Sequence, residues 1–104
     1  MNDPRYKPLI IRGAEQVRKI TFVRHGPHLI LVEVKSGHQG RLRSLHEFVD
    51  RAPHPYAVRY YAGKLSVERQ KTPKGKPYIL LNLPYFLGTR LHPYLDWLKD
   101  EHPA

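Results

Sequence analysis

Cysteine is absent from this 104-residue chain. That excludes disulfide staples and any thiolate-based zinc or redox centre, so the core must hold itself together. Long hydrophobic runs are missing as well. Stretches such as Leu29–Val32 fall far short of the ~20 apolar residues a membrane helix needs. The start, Met1-Asn2-Asp3-Pro4-Arg5, has no apolar signal segment, and no Gly-x-x-x-x-Gly-Lys-[Ser/Thr] phosphate loop occurs anywhere. A soluble cytoplasmic protein with no membrane partner is the expectation, and ATP bound through a phosphate loop is excluded. Acid is the scarcest class for its importance: nine Asp and Glu face eighteen Lys and Arg, a formal net charge of +9. Such an excess favours polyanionic partners: DNA, RNA, anionic lipid or an acidic protein.

What is present suits a small folded domain. Hydrophobic residues make up 40% of the chain, enough for one modest core, and the length predicts a single domain over 1–104. Residues 1–7 are polar and expected to fray. Ten prolines and seven glycines cut the rest into short elements. Strands are expected at Leu9–Ile11, Val17–Arg24, His28–Ser36, Tyr56–Tyr61, Leu65–Arg69 and Tyr78–Leu83. From Arg41 the period becomes helical, with Leu42, Leu45, Phe48 and Val49 on one face and Pro53-His54-Pro55 as the stop. Leu87, Leu91, Leu95 and Leu98 mark the face of a C-terminal helical hairpin, with Pro93 near the start of its last helix. The order β-β-β-α-β-β-β-α predicts an α/β fold: a mixed β-sheet flanked by helices.

The strand at His28–Ser36 carries the chemistry. Alternation puts Leu29, Leu31, Glu33 and Lys35 on one face and Ile30, Val32 and Val34 on the other. A carboxylate and an ammonium therefore project from one side, roughly 6.6 Å apart along the strand, beside a Ser-Gly loop. Metal-dependent phosphodiester cleavage needs an oxygen ligand for Mg²⁺ or Mn²⁺ and a cation near the attacked phosphate. Glu33 and Lys35 supply one of each.

Three blocks extend this pattern. Glu33-Val34-Lys35-Ser36-Gly37, then Gly40-Arg41-Leu42-Arg43-Ser44-Leu45 with Phe48, and later Leu81-Asn82-Leu83-Pro84-Tyr85-Phe86-Leu87-Gly88 occur in order. Over about Val17 to Leu91 the chain resembles the C-terminal domain of a prokaryotic family of AAA-type ATPases. That domain, of unknown function, is similar to the PD-(D/E)XK nucleases. The resemblance implies a restriction-endonuclease-like core, with Glu33 as metal-binding acid and Lys35 as catalytic lysine. It also implies an Asp on the preceding strand, where Thr21 stands in Lys19-Ile20-Thr21-Phe22-Val23. A threonine hydroxyl is a far poorer Mg²⁺ ligand than a carboxylate. The family's ATPase module and acid-bearing first helix have no counterpart before Leu9. The chain therefore reads as the tail of a larger protein or a stand-alone remnant, truncated at its N-terminus, with a vestigial site.

Three readings follow. The first is a nuclease-like domain without strong activity that binds nucleic acid or regulates an attached or partner ATPase. Arg41, Arg43, Lys64, Lys71, Lys74 and Lys76 are its expected phosphate contacts. The second is an active Mg²⁺- or Mn²⁺-dependent endonuclease in which Glu15, Glu47 or a second subunit replaces the missing acid. The third is a protein-interaction module. DNA and RNA are not distinguished. Tyr56, Tyr60 and Tyr61 beside Arg59 could stack bases but also suit a strand. The seven histidines, among them His25, His28, His54 and His92, show no ligand-pair spacing and are expected at the surface or as caps.

Overall fold

The computed structural model describes residues 6–12, 17–34 and 43–103, with their side chains over 20–34 and 44–103. The elements run β1 (Tyr6–Arg12), β2 (Val17–His25), β3 (His28–Val34), α1 (Arg43–Arg51), β4 (Tyr56–Tyr61), β5 (Ser66–Lys71) and β6 (Pro77–Pro84). A 3₁₀ segment, Tyr85–Arg90, then leads straight into α2 (Leu91–Glu101). The expected order of strands and helices is the observed one. The expected hairpin of helices is not: the 3₁₀ segment and α2 join end to end, with Pro93 in the first turn of α2, where its missing N–H has no partner to lose. Tyr6 and Lys7, expected to fray, belong to β1.

The strands form one mixed sheet in the order β1-β2-β3-β4-β6-β5. β1, β2 and β3 pair antiparallel, β4 joins β3 and β6 in parallel, and β5 closes the edge antiparallel to β6. Gly26-Pro27 makes the two-residue turn between β2 and β3. Gly26 has φ 61, a value a side chain would strain, and Pro27 follows with its own fixed φ. Counting back from the His25–His28 pair fixes every partner across this hairpin.

Each face of the sheet buries its own cluster. Leu45 and Val49 of α1 cover Ile20, Leu31, Ala57, Tyr78 and Leu80. Leu91, Leu95 and Leu98 of α2 cover Ile30, Val32, Val58, Ile79, Leu81 and Leu83 on the other side. Each fully buried Leu or Val here stabilises the fold by ~2 kcal/mol relative to exposure. β3 and β6 lie between two helical layers, which is why both read as near-continuous apolar runs. No described helix is long and apolar enough to cross a membrane.

Candidate functional site

Glu33 lies near the C-terminal end of β3 and, like Leu31, faces the α1 side of the sheet. Only 4% of it is exposed. The ends of β3, β4 and β6 lie side by side, because Val34 pairs with Tyr60 and Tyr60 with Leu83. α1 returns the chain to the start of β4, so the N-terminus of α1 lies toward this end of the sheet. Across the strands, Glu33 stands in one row with Ile20 on β2, Arg59 on β4, Asn82 on β6 and Ser66 on β5.

That row anchors a polar network. The Arg59 Nε donates to Asn82 Oδ1 at 2.9 Å and its Nη2 approaches Glu68 Oε2 at 3.4 Å. The Asn82 amide donates to Ser66 Oγ at 3.1 Å and to the Glu68 carboxylate. Gln70 donates to the other Glu68 oxygen at 2.5 Å and accepts from the Tyr78 hydroxyl at 3.1 Å. With its one proton given to Gln70, the Tyr78 oxygen accepts from His46 Nε2 of α1 at 3.0 Å. Burial pushes the Tyr78 hydroxyl up to about 12. Arg59 opposes that rise, while Glu68 and Glu33 add to it. The network thus satisfies a buried amide and phenol and a half-buried guanidinium within the sheet, which is the condition for placing them there at all.

Three expectations change in the light of this geometry. Thr21 pairs with Val32, not with Glu33, and its hydroxyl donates to the Val32 carbonyl at 3.4 Å. A one-residue step along a strand reverses the face, so Thr21 lies on the α2 side and the residue opposite Glu33 is Ile20. The hairpin turn carried this information in the sequence: with Gly26 and Pro27 as the two loop residues, Ile20 must oppose Glu33.

Lys76, expected among the phosphate contacts, has its ammonium engaged elsewhere. Its ammonium donates to the carbonyls of Val49 at 2.6 Å, Ala52 at 2.7 Å and His54 at 3.4 Å, capping the C-terminus of α1 where the helix dipole favours a cation. The basic set is also split. Lys64 lies in the β4–β5 turn at the Glu33 end of the sheet, whereas Lys71 and Lys74 lie at the far end of β5, roughly 17 Å along the strand. Lys35 and Arg41 fall outside the described residues, and Arg43 is described only in its backbone as the start of α1.

The histidines also differ from expectation. His54 is buried: its Nε2 donates to the Leu29 carbonyl at 2.7 Å and its Nδ1 accepts from the Tyr56 N–H at 3.1 Å, which fixes a neutral ring. His25, also buried, joins β2 to α2 through His92 (Nδ1 to Nδ1, 2.8 Å) and Asp96 (2.8 Å).

A divalent ion does not fit the described donors around Glu33. Ile20 flanks it on one side and Arg59 on the other. Glu68 shares the face but stands three strands away, roughly 14 Å between backbones, with Arg59 between. Glu47 is exposed on α1 and lines a groove with Arg24, Phe48 and Arg51, and Glu15 lies outside the described residues. Among the described residues, no three of His, Cys, Asp and Glu converge to hold a metal.

Comparison with family models, with curated proteins and with solved structures gave no match. The residues themselves therefore carry the reading. Sequence reasoning missed Asn82, Glu68, His46 and Tyr78. The signal for the first was a lone amide inside the apolar run Ile79-Leu80-Leu81-Asn82-Leu83, where an amide persists only if the opposite strands supply partners.

Proposed function

We propose that this chain is a nuclease-like domain that binds nucleic acid and cleaves it weakly or not at all. One observation carries the second half: the position opposite Glu33 across the β2–β3 hairpin holds Ile20. A phosphodiester hydrolysed with Mg²⁺ or Mn²⁺ needs carboxylates converging on the ion, and Glu33 has an alkyl group and a committed guanidinium as its row neighbours. The order of elements and the mixed sheet between helices agree with the core that the resemblance implies, and an attached or partner ATPase is what such a domain would regulate.

Charge placement supports the first half. Residues 91–104 hold three acids, Asp96, Asp100 and Glu101, against the single Lys99. The remaining chain therefore carries the whole positive excess. Nucleic acid would approach the end of the sheet where Glu33, the start of α1 and Lys64 lie, away from the acidic outer side of α2.

Two assays test the reading. Fluorescence anisotropy with labelled DNA and RNA should show affinity that falls steeply as salt rises. Absence of binding at low salt, or binding indifferent to salt, contradicts it. Plasmid incubated with Mn²⁺ should be nicked no faster by the wild type than by Glu33→Ala. Cleavage lost on that substitution would make the domain an active nuclease.

A further inference from the structure

We propose that Phe86, exposed at the same end of the sheet as Lys64 and four residues before Arg90, is a stacking platform for an unpaired base, so that the nucleic acid this domain takes is single-stranded. The inference rests on the nucleic-acid reading above and adds the strand state.

Phe86 is 80% exposed, a large ring held in water immediately after β6. Its neighbours fix it there. Leu87 packs against the α2-side core, and the Tyr60 hydroxyl donates to the Gly88 carbonyl at 3.4 Å, so the 3₁₀ segment is pinned on its inner side. Tyr85, 47% exposed, precedes it. The β4–β5 turn emerges beside this segment, because Tyr61 and Pro84 are register partners. Gly63 lies so close over the Tyr61 ring that a Cβ there would come within 2.6 Å of it, and the Tyr61 hydroxyl bonds the Lys64 carbonyl. Lys64 and Leu65 are thereby held, exposed, at the same end of the sheet, with Arg90 exposed at the end of the 3₁₀ segment. Neither Lys64 nor Arg90 forms an ion pair among the described residues.

An exposed aromatic on a pinned segment, with exposed cations at the same end of the sheet, suits a base stacked on the ring and phosphates neutralised nearby. Duplex bases are already stacked on each other, whereas an unpaired base has a free face to offer.

The test compares a fluorescein-labelled oligothymidylate with a duplex of the same length at one low salt concentration. Phe86→Ala should weaken single-strand binding by about tenfold or more and leave duplex binding unchanged. Phe86→Trp should restore it, and Lys64→Ala should weaken both and flatten the salt dependence. Wild-type single-strand affinity in Phe86→Ala overturns the proposal. So does an equal loss for duplex, which would make the ring a wedge between base pairs, or an effect confined to self-association on a sizing column. If neither nucleic acid binds, the nucleic-acid reading falls with it; if both bind and Phe86→Ala is silent, this inference falls alone.

Discussion

Two side chains at opposite ends of β6 show how differently a polar group can be used. Asn82, 1% exposed, is satisfied by Arg59, Ser66 and Glu68. Replacing it with Ala strips an acceptor from Arg59 and a donor from Glu68 inside the sheet. The expected loss is about 1–3 kcal/mol in urea denaturation, with no change in the slope of the transition. Lys76 is the second case. Lys76→Met removes the cation that closes α1, and a loss of about 2 kcal/mol is expected, together with nucleic-acid affinity close to that of the wild type. Lys64→Met should do the reverse, weakening binding while the melting temperature stays put. If Lys76→Met lowered affinity as much as Lys64→Met, its role as a cap would be wrong.

Among the elements, the histidines couple stability to pH. Burial holds His28 and His54 below their ordinary value of 6.5. Lys99 and His25 act in the same direction on His28. For His54, the bond to Leu29 opposes the drop, while His28, Lys76 and Lys99 reinforce it. Such a ring takes its proton in the unfolded chain before it does in the folded one. Stability is therefore complete above pH 6.5 and falls progressively as pH drops below it. Protonating His54 Nδ1 would also break its bond from the Tyr56 N–H. Urea midpoints at neutral and mildly acidic pH should differ in this sense, and His54→Gln should shrink the difference. Equal midpoints for the wild type would contradict it.

The elements also show what could be read in advance. Leu29–Val34 and the Leu45–Val49 face announced a buried strand and a helix because period and burial coincide there. The register was recoverable from Gly26-Pro27, whereas a motif position carried over by resemblance says nothing of the face on which Thr21 lies. The Lys76 cap could not be read at all: a lysine in a Lys-Pro-Gly loop looks like a solvated charge until the end of α1 is seen to arrive at it. The Asp50–Thr72 contact at 2.6 Å, which ties that loop to α1, is equally remote in sequence.

At the scale of the whole molecule, the positive excess lies outside α2, whose outer side holds Asp96, Asp100 and Glu101 against the single Lys99. A polyanion meeting this field is steered away from α2 and toward the sheet end formed by β3, β4 and β6. Mapping backbone amide shifts during titration with a short single strand tests that account most directly. The expected perturbations gather at the start of α1, over residues 63–65 and over 85–90, and weaken together as salt is added. Perturbations centred on Asp96, Asp100 and Glu101, or none anywhere at low salt, would contradict it.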